Sequence, residues 1–224
     1  MSDKLRDETF FAFDDDPKST VFELFPDVHG DTRGWFSEVM KGDLGWIKQI
    51  NRSSSSPNVV RGCHAQQGAF CQAKLVEAIN EVVFDYIIDA RPDSKTFGVS
   101  KMYRLDPVKQ NKLFVPRGFL HAFIVPSSAK IDAVFTYYCD NIYDKESEIC
   151  INPKSVITRN IGILRSWCYS NPEMNDMFHE LVESSEDDWV YSDKDLQGLD
   201  YDAWMTSLKV AYDNEDFKTS LWYK

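Results

Sequence analysis

From Val21 to about Asn152 the chain is a succession of short runs rich in β-branched and aromatic residues, punctuated by Pro, Gly, Asn and Asp. That spacing, with little helical periodicity, predicts an all-β sandwich or barrel. Alternation is clearest in KIDAVFTYYCD. There Ile131, Ala133, Phe135 and Tyr137 share one face, and Asp132, Val134, Thr136 and Tyr138 share the other. VFELFPDV, NVVRGCHAQ, AKLVEAI, EVVFDYIIDA, SKMYRLD and KLFVP read as further strands, with Pro/Gly turn chemistry in DARPDSKTFG and VPRGF. Low-complexity sequence is limited to Ser53–Ser56.

After Pro153 the texture changes to polar sequence with helical patterns around Asn175 to Val182 and Asp200 to Tyr212. At 224 residues the chain suits one domain with an addition rather than two full domains. The expected division is a β domain over 1–153 and a mostly helical or irregular appendage over 154–224. Trp189, Trp204 and Trp222 are expected to supply packing area there.

Charge narrows the choice of ligand. The net charge of −11 disfavours general binding to nucleic acid or an anionic membrane, so any anionic ligand must be held by a few local cations. Glu180 to Lys224 carries 12 acids and 4 bases, which concentrates the excess in the tail. No run approaches a membrane span, and the N-terminus lacks the pattern of a signal peptide, so a cytoplasmic protein is expected. The 5 cysteines, Cys63, Cys71, Cys139, Cys150 and Cys168, include no CxxC pair and read as free thiols.

Four segments, in order, carry a resemblance: DTRGWFSE (31–38), VVRGCHAQ…QAKLVEAI (59–79), DARPDSKTFG (89–98) and VPRGFLHAF (115–123). Together they resemble the nucleotide-sugar 3,5-epimerase family typified by dTDP-4-dehydrorhamnose 3,5-epimerase. The resemblance spans about Val21 to Pro153 and resumes at YSDKD (191–195), leaving Thr158 to Asp188 without a counterpart. It implies a cupin-like jelly roll that needs no metal or other cofactor, and a homodimer whose N-terminal strands are shared between subunits. It also implies that the appendage returns an Asp and a Lys to the active site.

Inverting a carbon next to a ketone requires a base, a group that stabilises the enolate oxygen, and an acid on the opposite face. By resemblance the base is His64, oriented by Asp195, with Asp193 the competing carboxylate. Lys74 takes the place of the cation near the ketone, and Tyr137 that of the acid. Arg33 and Arg61 fall at positions for the diphosphate, which suits the planar guanidinium. Tyr143 falls where an aromatic stacks on the nucleotide base. Glu38, Gln49, Asn51, Gln66, His121, Glu148 and Lys194 stand at polar contact positions, and Phe36 would wall the pocket. A nucleotide-diphosphate sugar is the implied substrate, with rhamnose or another deoxysugar as the pathway context.

Residue patterning exposes a tension in this assignment. In a regular strand Arg61 and His64, three positions apart, face opposite sides. Gly62 offers a bulge or twist that would bring both to one cavity.

Departures from the family pattern are RGCH for RGLH, HAF for HGF, and Ile151, Asn152, Pro153 for Trp-Asn-Asp-Pro. None removes a proposed catalytic group, although pocket shape selects among related substrates. Two other readings stay open from residues alone. A metal-dependent cupin oxygenase or isomerase would place His64, His121 and Glu38 on an ion, although HAQ replaces the usual HxH. A non-catalytic sugar-binding protein would keep the barrel without needing an acid and a base.

Overall fold

The computed structural model describes residues 4–7, 20–156 and 188–213. In chain order the strands are β1 (Lys4–Asp7), β2 (Phe22–Phe25), β3 (Val28–Asp31), β4 (Gly34–Ser37), β5 (Gln49–Ser55), β6 (Val60–Gln66), β7 (Lys74–Ala78), β8 (Val83–Asp89), β9 (Ser100–Leu105), β10 (Lys112–Val115), β11 (Phe119–Ile124), β12 (Ala133–Cys139) and β13 (Glu148–Cys150). Among the described residues that follow, 153–156 are helical, and α1 (Asp193–Leu196) and α2 (Tyr201–Asp213) are complete helices.

The strands assemble into a six-stranded sheet, β1-β2-β10-β7-β12-β5, and a five-stranded sheet, β13-β6-β11-β8-β9. A separate hairpin joins β3 and β4. Pairing is antiparallel throughout these ladders, and neighbours distant in sequence lie side by side, as in a jelly roll. The seven expected strand segments all contain strands. β1, β5, β11, β13 and the β3–β4 hairpin are additional. Ser53–Ser55, part of the low-complexity run, is sheet, paired with Phe135, Val134 and Ala133 of β12.

Alternation explains how two cores form from one set of strands. Val83 and Ile87 of β8 meet Phe119 and Phe123 of β11, Val76 of β7 and Phe135 of β12 between the sheets. The intervening Phe84, Tyr86 and Ile88 point the other way, into a second cluster on the outer face of the five-stranded sheet. Trp189, Tyr201, Trp204, Met205 and Leu208 cover that outer face. With both faces covered, β8 and β11 are buried along their whole length. Each fully buried side chain of this size stabilises by roughly 1.5–3 kcal/mol.

Trp189 and Trp204 thus act as packing residues, as expected; Trp222, Cys168 and the helical pattern around Asn175 to Val182 lie outside the described residues. The expected helix from Asp200 to Tyr212 is α2. The Asp200 carboxylate accepts the Ala203 backbone N–H at 3.0 Å, closing its first turn. Ile131, expected on the apolar face of the β12 segment, instead precedes the strand and is exposed. Cys63, Cys71, Cys139 and Cys150 are free thiols.

DARPDSKTFG serves the fold rather than the chemistry. The Asp89 carboxylate accepts from the Arg91 backbone N–H at 3.0 Å, from Arg91 Nε at 2.9 Å and from Thr96 Oγ1 at 2.7 Å. The Arg91 guanidinium lies over the Phe119 ring, 4.5 Å from its centroid. A buried charge pair survives only with its hydrogen-bonding capacity filled, and this turn fills it.

Candidate active site

Gly62 decides how β6 meets the cavity. On β11 His121 pairs with His64 and Phe123 with Arg61, so Gly62 and Cys63 together oppose Ala122 alone. This is a β-bulge, and it removes the tension between Arg61 and His64. Gly62 has φ +120°, and a Cβ there would lie 2.6 Å from Ala122 Cα and 2.7 Å from the His121 carbonyl oxygen. Only glycine meets both conditions without displacement. Arg61, His64 and Gln66 consequently line one cavity of about 520 Å³, while Cys63 enters the outer core.

On the five-stranded sheet His64 is oriented by the appendage. Ser192 caps α1, its hydroxyl accepting the Asp195 backbone N–H at 3.1 Å, and the Asp195 side chain turns toward β6. His64 Nε2 donates to Asp195 Oδ1 at 2.7 Å. That leaves Nδ1 with the lone pair, and Glu148 Oε1 lies 4.0 Å from it. Burial works to raise the Asp195 carboxyl, but the His64 hydrogen bond and charge, with Ser192, outweigh it and hold the group below the ordinary value. Asp193, the competing carboxylate, is exposed.

The facing sheet supplies Lys74 and Tyr137. Asp140 anchors the start of β7, accepting the Ala73 backbone N–H at 2.7 Å and Arg117 Nε at 3.0 Å, which fixes the neighbouring Lys74 at the cavity wall. Burial draws the Lys74 ammonium below the usual lysine range, while Cys139, Asp85 and Glu148 act in the opposite direction. Tyr137 projects into the same cavity, with its hydroxyl 3.4 Å from Ser53 Oγ. Burial pushes this phenol well above its ordinary value, only partly offset by Ser53, so it stays protonated at neutral pH.

His121, on the five-stranded sheet, lines the same cavity, its ring edge-on to Tyr137 at 6.2 Å between centroids. Its Nε2 donates to Asp85 Oδ2 at 2.7 Å, a second histidine–aspartate pair, almost wholly buried. Asp85 was missed in the sequence reading. The signal was present: a carboxylate inside the apolar run VVFDYIID must find a partner when buried.

Polar groups at the mouth form a linked set. Tyr143 donates through its hydroxyl to Glu148 Oε2 at 3.1 Å, and Lys194 pairs with the same carboxylate. Gln66 Oε1 accepts the Asp144 backbone N–H at 2.9 Å. Asn51, Tyr143, Glu148 and Lys194 line the cavity. Gln49 acts from behind them, donating to Asn51 Oδ1 at 2.8 Å and accepting the Tyr143 backbone N–H at 2.7 Å. Arg61 is tethered at the rim by Ser55 Oγ, 2.8 Å from Nε. Gln72 and Ser192, which the sequence reading did not single out, also line the cavity.

Besides Gln49, which stands behind the lining, three expected site residues are not brought to this cavity within the chain. Arg33 and Phe36 sit on the projecting β3–β4 hairpin, around a separate depression. Arg33 Nε donates to Asp31 Oδ1 at 3.1 Å, and Phe36 is 67% exposed. The two strands of the hairpin pair with each other and join neither main sheet, and Ser37 at its end bonds to Gln110, which does not line the His64 cavity. Glu38 borders a third cavity with Trp46 and Lys112. That placement also undoes the proposed His64, His121 and Glu38 metal triad, because Glu38 borders a different cavity from the one the two histidines line.

A family model described as dTDP-4-dehydrorhamnose 3,5-epimerase matches residues 18–200. The chain is 38% identical over 146 residues to an Escherichia coli K12 protein of that name, covering 61% of this chain and 77% of the relative. Among solved structures, a dTDP-4-dehydrorhamnose 3,5-epimerase from Elizabethkingia anophelis superposes with a TM-score of 0.63 at 31% identity, covering 85% of this chain and 96% of that one. A Legionella pneumophila dTDP-6-deoxy-D-glucose-3,5-epimerase, crystallised with dTDP-4-keto-L-rhamnose, gives a TM-score of 0.63 at 26% identity over 87% of this chain and 94% of that one.

Proposed function

The chain belongs to the dTDP-4-dehydrorhamnose 3,5-epimerase family, and from that membership and the geometry of its cavity we propose that it inverts C3 and C5 of a nucleotide-linked 4-keto-6-deoxy hexose in deoxysugar synthesis. The observation that carries the reading is one cavity in which His64 on one sheet, held by Asp195 of α1, faces Lys74 and Tyr137 on the other.

His64 Nδ1 removes the proton from the carbon beside the ketone. Asp195 fixes the proton on Nε2 and stabilises the imidazolium that forms. Negative charge moves to the ketone oxygen, where the Lys74 ammonium balances it in surroundings that exclude most water. The neutral Tyr137 phenol then gives its proton to the opposite face of the carbon, inverting it. Arg61 at the rim meets the diphosphate, and Tyr143 the base. Gln66, Asn51, Glu148 and Lys194 position the rest of the ligand, and His121 holds the space beside Tyr137.

The active form in this reading is a homodimer. Trp35 and Phe36, 66% and 67% exposed, form an apolar hairpin face with Arg33 at its turn. Exposed apolar surface of this kind seeks a protein partner, and a second copy would bring Arg33 and Phe36 to the mouth of its cavity. No helix among the described residues is long and apolar enough to cross a membrane. We place the reaction in the cytoplasm.

Incubating the protein with dTDP-4-keto-6-deoxyglucose and related nucleotide 4-keto sugars, and reading coupling constants by proton NMR, tests the reading. Inverted C3 and C5 in one of them is expected. Inversion at C3 alone would make the protein a mono-epimerase, and no inversion in any would overturn the assignment.

A further inference from the structure

Cys150 on β13 pairs across the sheet with His64 on β6. Its Sγ lies 3.8 Å from Asp195 Oδ1 and 3.7 Å from the Lys194 carbonyl oxygen. Asp195 Oδ1 is also the atom that holds His64 Nε2 at 2.7 Å, and one ligand atom from each of the three residues lies within 4.8 Å of the others. A thiol, an imidazole and a carboxylate therefore converge behind the cavity, on the side of the imidazole away from Nδ1.

Tetrahedral zinc, with bonds of roughly 2.0–2.3 Å, holds neighbouring ligand atoms about 3.3–3.8 Å apart. Sγ and Oδ1 already meet that spacing, Nε2 and Oδ1 need to part by about 0.6 Å, and Sγ, within 4.8 Å of Nε2, needs to close on it. We infer that Cys150, His64 and Asp195 form an inhibitory site for a thiophilic divalent cation such as Zn²⁺, one that competes with the proton shared by the histidine–aspartate pair.

The proton balance follows from the ligands. Cys150 loses its thiol proton to solvent on binding. His64 stays neutral but exchanges tautomers: Nε2 binds the ion and the ring proton moves to Nδ1, where Glu148 Oε1, now 4.0 Å away, is the available carboxylate acceptor. Metal-bound histidines commonly donate their second N–H to such a carboxylate. Thiolate and carboxylate together neutralise the ion, and the thiolate favours zinc or cadmium over magnesium. The lone pair that would remove the substrate proton is lost, so loading silences the base without blocking the cavity. The inhibition rests on the function proposed above; the binding does not.

Cadmium titration of the full chain, followed through thiolate-to-metal charge-transfer absorbance, reads the binding by itself. One equivalent is expected in the wild type and in Cys168→Ser. Cys150→Ser should lose the band, and Asp195→Asn should weaken binding by about tenfold or more. Absence of the band in wild type, or its persistence in Cys150→Ser, overturns the site even if no epimerase activity is found. In the deuterium-exchange assay, micromolar zinc should slow wild type reversibly, chelator should restore it, and magnesium should not act. For Cys150→Ser, compared with its own metal-free rate, the zinc concentration needed for half-inhibition should rise about tenfold or more. Stoichiometric binding that leaves exchange unchanged in an active enzyme would remove His64 from the ligand set.

Discussion

His64 and Asp195 are 131 positions apart in the chain, yet Nε2 of one donates to Oδ1 of the other at 2.7 Å. The bulge at Gly62 turns the imidazole into the cavity, and the Ser192 cap turns the carboxylate toward it. A local irregularity in a strand and a four-residue helix thus meet to make the pair proposed as the base.

Asp195→Asn should slow exchange by about 10²- to 10⁴-fold, because the amide neither stabilises imidazolium nor fixes the tautomer as well. It should also cost stability in a pH-dependent way. The folded-state value of Asp195 is depressed, so its contribution is full above the ordinary 3.8 and is lost as pH falls through the lower folded value. Melting curves should show wild type above the variant at pH 7 and the gap closing in acid below about 3.8. A gap independent of pH would contradict the ion-pair account.

Legibility in the sequence followed the physics of each element. β7, β8 and β12 were readable because branched and aromatic runs between turn residues are local signals. β11 was not, because FLHAFI follows directly on the turn residues of VPRGF and carries no β-branched residue before its last position. β5, QINRSSS, is polar, and its strand character comes from pairing with β12. Within the site, His64, Lys74 and Tyr137 were found by resemblance and meet in one cavity. Arg33 and Phe36 matched the pattern equally well but lie on a projecting hairpin around a separate depression, a placement no local pattern in DTRGWFSE announces. Asp85 belonged to no quoted motif, and only its partner His121 reveals what it does.

Tyr137→Phe separates removal of the proton from its return. Exchange of the substrate hydrogen with solvent through His64 should persist, while inversion falls by about 10²- to 10⁴-fold. Quantifying deuterium and stereochemistry in the same NMR sample checks this. Equal loss of both would place the phenol on the proton-abstraction step instead.

Gly62→Ala tests the bulge. A methyl 2.6 Å from Ala122, on a backbone at φ +120°, must displace β11. Overpacking alone costs about 1–3 kcal/mol, and the left-handed backbone adds to it. Urea denaturation should show a lower midpoint at an unchanged slope. An unaltered midpoint would mean that β6 relaxes freely there.

Arg33→Ala, at an exposed turn, should leave the melting temperature unchanged while raising KM. Mixed with inactive His64→Ala and allowed to exchange subunits, it should recover activity, since a hybrid dimer rebuilds one complete site from the two chains. Random hybrids give about a quarter of the wild-type sites. Activity no greater than the sum of the separate variants would put the hairpin's action within its own chain.

The central claim is that an imidazole and a phenol from facing sheets act on the two sides of one carbon, and deuterium incorporation measures it most directly. In heavy water with dTDP-4-keto-6-deoxyglucose, wild type should place deuterium at C3 and C5 with inversion, Tyr137→Phe should incorporate it without inversion, and His64→Ala should incorporate none. Incorporation by His64→Ala at the wild-type rate, or inverted product that retains the original hydrogen, would contradict the account.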